Sequence, residues 1–263
     1  MPLRQICIKH LLASLFLVLC APLAAHAGQA CEQTIPEATA VRAQLDMAVK
    51  TVDRLNASGA DVVIISRIGQ DLSKYQQRYS HLAIAYRDDQ QWYVVHKLNE
   101  CGTAVSNLYE QGMGQFFMDS PFLLEAYVAV PPPEVQAKLR AAIARAQVTR
   151  LHEPQYSMLA YPWATRYQQS NQWLTETLAM ALEPQISSRE QAQAWLRFKG
   201  YAPDTLHLGP MTRLGGRMFK ANIAFDDHPS ALRFSDRIET TTADSVLRFL
   251  RKSGLEASHF VIQ

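Results

Sequence analysis

His81 and His96 stand near the two ends of YSHLAIAYRDDQQWYVVHKL (79–98), which reads as two short strands around a turn. A two-residue turn at Asp88-Asp89 would pair Arg87 with Gln90. Counting back sets Ala85 against Trp92, Ala83 against Val94 and His81 against His96. Opposed residues share a face with Cβ atoms about 5 Å apart. The expected face is therefore His81, Ala83, Ala85, Trp92, Val94 and His96. A slip of one residue would separate the histidines, and Asp-Asp is a weaker hairpin signal than Asn-Gly. Adjacent imidazoles suit a division of labour. One acts as general base, and the other holds its ring and tautomer, as the third member of a triad does.

Such a pair needs a nucleophile, best placed at a helix N-terminus, where the dipole favours developing negative charge. SNQWLTETLAMAL (170–182) is a strong helix pattern, with Trp173, Leu174, Leu178 and Leu182 on one side and Pro184 beyond its end. It begins at Ser170, a natural N-cap and a natural nucleophile. Ala83 and Ala85 would let this helix lie close on the histidine face. Tyr167, Asn171 and Trp173 are the candidate binding residues beside it. Each has a plainer reading: a satisfied structural histidine, a capping serine, a core aromatic.

Two other clusters carry weaker chemistry. Asp226-Asp227-His228-Pro229 offers oxygen and imidazole ligands, but consecutive ligands on a turn rarely converge on one ion. Neither a metal nor another cofactor is expected. Gly209-Pro210 and Gly215-Gly216 lack the strand–turn–helix setting of a phosphate loop and read as turns.

The elements that must position these residues follow from periodicity. Val41, Leu45, Ala48, Val49 and Val52 mark an amphipathic helix over 37–57, ended by Asn56, Ser58 and Gly59. DVVIIS (61–66) is a buried strand, and 67–78 is polar and irregular. LYEQGMGQFF (108–117), with two glycines, reads as a short helix plus loop. EAYVAVP (125–131) is a strand stopped by three prolines. Pro133 opens a helix running to about 148, and 151–169 is a long aromatic loop. Ser187-x-x-Glu190 is a capping box for a helix ending at Gly200. MFKANIAF (218–225) is a strand candidate. A last helix spans 242–254, with Thr242 and Gly254 as caps.

The first 27 residues read as a secretory signal peptide. Arg4 and Lys9 precede an apolar run from Leu11 to Leu19, and Ala25-His26-Ala27 is a small-x-small cleavage site. Acylation at Cys20 is disfavoured by Leu19 before it, and an uncleaved anchor by the short run. Cleavage leaves 236 residues; of 26 basic side chains only Arg4 and Lys9 are lost, giving 24 basic against 24 acidic. No basic run points to nucleic acid, and no later stretch reaches the roughly 18 apolar residues of a membrane helix. Cys31 and Cys101 remain. In an exported chain they are expected to pair, closing a loop of about 70 residues worth about 3–5 kcal/mol. The competing reading, Cys101 as a catalytic thiol, lacks a helix start to lower its pKa.

RIGQDLSKYQQRYSHLAIAYRDDQQWYVVHKLNECGTAVSNLYEQG, followed by YQQSNQWLTE, resembles an uncharacterised exported bacterial family, domain-of-unknown-function family 2145. Its most specific pieces are the R-x-G-x-D-L…Y-S-H-x-x-x-A-Y-R-D run and the ECG tripeptide. More remotely, the order of strand histidine, strand polar residue and helix N-terminus is similar to circularly permuted papain-like enzymes of the NlpC type. That likeness implies a thiol amidase, peptidase or acyltransferase scaffold, with His81 as base, His96 as orienter and Ser170 where the family has its cysteine. A hydroxyl is far harder to ionise than a thiol. The expected fold is α+β: a papain-like antiparallel sheet packed against helices over 28–184, with a C-terminal α/β extension over 185–263. The favoured function is a non-catalytic exported binding protein for an envelope peptide, glycan or lipid. The alternative is a hydrolase or acyltransferase using Ser170, His81 and His96.

Overall fold

The structure, a computed structural model, describes residues 36–119 and 121–263. The expected leader over 1–27 and Cys31 lie outside the described residues.

A continuous apolar run makes a strand that is buried on both faces. β1 (Val62–Ile68) is such a strand, buried at every position. It lies inside a six-stranded sheet of order β4-β3-β2-β1-β5-β8, comprising β2 (His81–Asp88), β3 (Gln91–Asn99), β4 (Ser106–Gly112), β5 (Leu123–Val130) and β8 (Ser258–Ile262). Every neighbouring pair is antiparallel. With eight α-helices among the described residues, the class is α+β.

The β2–β3 turn falls one residue later than expected. Asp88 pairs with Gln91, Asp89 takes a positive φ of 51°, and Ala85 faces Val94 rather than Trp92. Moving the turn by one residue changes each partner by two, so the alternation is preserved. His81 and His96 stay on one face but become diagonal rather than direct neighbours.

That face is covered by a different helix from the one expected. Ala83, Ala85, Trp92 and Val94 pack with Met47, Ala48 and Leu55 of α1 (Ala38–Ser58) and with Phe116 and Phe117 of α2 (Met113–Phe117). The Trp92 indole N–H also donates to Asn56 Oδ1 at 2.8 Å. The opposite face, with Leu82, Ile84, Tyr86 and Val95, takes α3 (Pro133–Ala144), α4 (Ser170–Leu182) and α8 (Ala243–Lys252). Twelve of the thirteen α4 residues are buried, so α4 is the central helix and its side chains cannot be assigned to one apolar stripe.

Several boundaries differ from the sequence reading. SNLYEQG is an edge strand, β4, whose polar residues fit a half-solvated position; its last residue, Gly112, and the nearby Gly114 give it the look of a loop. α3 stops at Ala144 because Ala146 turns left-handed at φ 53°. α5 (Arg189–Phe198) is capped by Ser188, which accepts from Gln191 N, so the capping pair lies one residue beyond Ser187 and Glu190. The 218–225 strand is absent. Instead α6 (Pro210–Phe219) starts with Gly209 as N-cap and contains Gly215 and Gly216, so neither glycine pair makes a turn. β6 (Asp204–His207) and β7 (Arg237–Thr240) form a separate ribbon, followed on its β7 side by α8; the short α7 (Ser230–Arg233) precedes β7. The C-terminal segment is joined to the main body: α8 enters the main core and β8 extends the main sheet. No helix among the described residues is long and apolar enough to cross a membrane.

Docking of α1 on the alanine face makes a direct prediction. Leu55 is fully buried there, whereas Val49 on the same helix is exposed. Leu55→Ala is expected to cost about 2–5 kcal/mol in urea unfolding. Val49→Ala is expected to stay within about 0.5 kcal/mol. Equal effects would mean that α1 is not docked as described.

Candidate functional site

Ser170 is the first residue of α4, and it is not the cap. Gln169 fills that role, its Oε1 accepting the Asn171 N–H at 2.8 Å. The side chain of Asn171 then ties the helix start to the sheet. The β2–β3 pairing begins at Ile84. Two residues earlier, the Leu82 N–H donates to Asn171 Oδ1 at 2.9 Å instead. The Asn171 amide donates in turn to the carbonyls of Ser80 and Thr241, each at 3.3 Å.

This clamp brings the helix N-terminus over the first residue of β2. Ser170 Oγ lies 3.2 Å from His81 Nδ1. His81 Nε2 lies 3.0 Å from His96 Nδ1, and His96 Nε2 lies 3.0 Å from Gln111 Oε1 on β4. All three candidate catalytic residues thus meet in one hydrogen-bonded row, extended by a fourth residue. Ser170 keeps 6% of its surface exposed, His81 9% and His96 1%.

Burial sets the electrostatics. It pushes His81 well below the ordinary histidine value, helped by the Arg67 charge and by His96. Burial and Arg67 push His96 down to about 4, opposed by its bond to Gln111. Both rings are therefore neutral at pH 7. Arg67 is held against the Phe116 ring, 4.9 Å from its centroid, while its guanidinium donates to the Phe116 carbonyl and to Asp119. Phe116 also touches both imidazoles, so one aromatic ring contacts the two histidines and the guanidinium.

A second buried cluster positions the loop above the site. Lys97 follows His96 and points to the other face of β3. Its ammonium donates to Gln168 Oε1 at 2.8 Å and to the Glu153 carbonyl. Gln168 donates to Glu176 on α4 at 2.6 Å, and Glu176 pairs with Arg189 of α5 at 2.8 Å. Burial pushes Lys97 down to about 7. The loop held this way carries Tyr156, whose phenol lies near Ser170 and is pushed up to about 12 by burial.

The three candidate binding residues fare differently. Trp173 is fully buried and donates its indole N–H to the Val148 carbonyl at 3.1 Å, which makes it core. Asn171 spends its amide on the clamp. Tyr167 keeps accessible surface beside Arg166. In the 226–229 turn, Asp227 accepts the Tyr161 N–H and His228 donates to the Leu159 carbonyl, each at 2.8 Å, so both fasten the 157–161 loop. Among the described residues no group of three His, Cys, Asp or Glu side chains could hold a metal ion.

Gln111 and Tyr156 escaped the sequence reading. Gln111 lay in a segment read as helix and loop, although His81, His96 and Gln111 are each fifteen residues apart, the period of adjacent hairpin strands. Tyr156 lay in a loop with no periodicity to aim it.

The family described as an uncharacterized protein conserved in bacteria, DUF2145, matches residues 54–250. The chain belongs to this family. The matched region holds all four members of the row, Tyr156 and both buried clusters. No curated protein and no solved structure matches the chain.

The neutral imidazoles carry a stability consequence. Their folded pKa values lie below the unfolded value of about 6.5, so the unfolded chain binds protons that the folded chain refuses. The stability they contribute is whole above about pH 6.5 and is lost as pH falls through about 4 for His96. Urea unfolding at pH 7.5 and 4.5 is expected to show a smaller loss of stability for His96→Gln than for wild type. Equal losses would mean that His96 is not buried neutral.

Proposed function

We propose that this chain is an exported hydrolase or acyltransferase that acts on an amide or ester of the bacterial envelope through an acyl-serine at Ser170. The contact of 3.2 Å between Ser170 Oγ and His81 Nδ1 carries the reading. It is the distance at which a general base takes a proton from a nucleophile. Ser170 Oγ attacks the carbonyl carbon and its proton passes to His81 Nδ1. The tetrahedral oxyanion is met by the Ser170 N–H at the start of α4, where helical N–H groups lack intrahelical partners, and by the Tyr156 hydroxyl. His81 returns the proton to the leaving amine or alcohol as the carbon–heteroatom bond breaks. Water, or a second acceptor activated by His81, then releases the acyl group. His96 holds the His81 ring. The papain-like order of base, orienter and helix-borne nucleophile is consistent with this assignment, with serine in place of the thiol.

Two observations favour a second reading, a binding protein without turnover for an envelope peptide, glycan or lipid. The nucleophile is a hydroxyl, and Ser170 is only 6% exposed. An acyl donor can reach it only if the groups packed around Ser170 yield.

Treatment of the full chain with a fluorophosphonate separates the readings. The enzyme reading expects a covalent adduct on Ser170, lost in Ser170→Ala and reduced by at least about 100-fold in His81→Ala. Labelling should not fall as pH drops through the ordinary histidine value, because burial holds His81 well below it. Adducts that persist in both variants, or none in wild type, would refute it.

Export carries its own test. Secreted protein is expected to begin at Gly28 and to give an unreduced mass two hydrogens short of the dithiol, from a Cys31–Cys101 disulfide. Two free thiols would refute the bridge.

A further inference from the structure

The row from Ser170 to Gln111 has a direction as well as a geometry. A neutral imidazole has one donor nitrogen and one acceptor nitrogen. A ring bonded on both sides must donate on one and accept on the other. Fixing the proton at one end of the row therefore fixes every proton in it. Both rings are buried against Phe116, which also carries the Arg67 guanidinium, so neither gains the second proton that would relax this rule.

The end of the row is Gln111 on the edge strand β4. His96 pairs with Tyr109 in the β3–β4 register, and Gln111 is the next residue on the same face. Its Oε1 is an acceptor only, and it lies 3.0 Å from His96 Nε2. His96 therefore carries its proton on Nε2 and presents a bare Nδ1. His81 must fill that acceptor with its own Nε2–H across 3.0 Å. His81 Nδ1 is left with a lone pair facing Ser170 Oγ at 3.2 Å. Turning the Gln111 amide over would reverse every bond. Its NH2 would donate to His96 Nε2, and His81 would aim an N–H at Ser170. In that state His81 cannot accept the serine proton.

We propose that Gln111 is the positioning residue that selects the productive tautomer of both histidines, with its carbonyl oxygen as the accepting end of the relay. It touches neither Ser170 nor a substrate and acts through His96. Its effect on labelling rests on the reading of His81 as the base for Ser170. The tautomer assignment concerns the resting protein alone.

The experiment is long-range proton–nitrogen NMR of the 15N-labelled full chain, with the two rings assigned from His81→Asn and His96→Asn. Wild type is expected to show the Nε2–H tautomer on both rings. Gln111→Glu, whose carboxylate can only accept, should retain it. Gln111→Met, which neither accepts nor donates in this position, should show mixed or inverted tautomers with an unchanged melting temperature. Its fluorophosphonate labelling should slow by at least about tenfold. An Nδ1–H proton on wild-type His81 overturns the proposal whether or not any variant folds. So do wild-type tautomers in folded Gln111→Met. Expected tautomers in a wild-type protein that does not label would support the positioning role and remove the serine nucleophile instead.

Discussion

One side-chain amide joins the two halves of the site. Asn171 fills a vacancy at the start of β2, where the Leu82 N–H has run past the end of the β2–β3 pairing. A buried N–H left unpartnered costs about 1–3 kcal/mol, so the helix that brings the acceptor is held in register with the strand. Since Asn171 follows Ser170, and His81 precedes Leu82, the same bond fixes the serine against the imidazole. The Thr241 carbonyl accepts from both Asn171 and Gln169, which ties the segment leading into α8 to the same point. Packing of α4 on the Leu82 face supplies the bulk of the burial. The amide decides where along the strand the helix ends.

The two faces of the sheet contribute different things to one row of atoms. The alanine face presents His81, His96 and Gln111 and is closed by α1 and by Phe116 of α2. The other face receives α4, and only its N-terminus reaches round the start of β2. Helix and histidines therefore meet at the strand ends, where β2 begins. Ala83 and Ala85 share a packed cluster with α1, and Phe116 of α2 closes over both imidazoles, sealing them from water. That sealing, with Arg67 held against Phe116, keeps both rings neutral. The Lys97–Gln168–Glu176–Arg189 cluster fixes the roof in the same way that Asn171 fixes the wall. Loss of one member of a buried charged set leaves its partners unpaired, which is far more damaging than the net worth of the set.

Legibility in the sequence followed how local each signal was. The central strands, α1, α4 and α8 carry periodicity or unbroken apolar runs, and they were readable. The association of His81, His96 and Ser170 was readable because strand alternation and a helix start are themselves local signals. The face that each helix covers was not readable. α4 is buried almost all round, so its sequence gives no direction, and the alanines attract whichever helix the topology delivers. β4 was hidden because an edge strand tolerates polar residues, and with it went Gln111. The 204–240 region was misread because its strands are four residues long and its glycines sit inside a helix. The turn was misplaced by one residue without harm, since alternation survives a change of two in the pairing.

The serine at 170 and the environment of His81 are consistent with each other. A thiol beside an imidazole commonly rests as a thiolate–imidazolium pair. Here that pair would hold a positive charge on His81 permanently, in a buried position next to Arg67. Both conditions disfavour it, and they are the same two that lower the imidazole. A hydroxyl keeps its proton at rest and leaves the ring neutral. In the serine reading, positive charge reaches His81 only during attack, when an oxyanion forms beside it. In that reading a hydroxyl, rather than a thiol, suits a buried row whose imidazoles are neutral at rest.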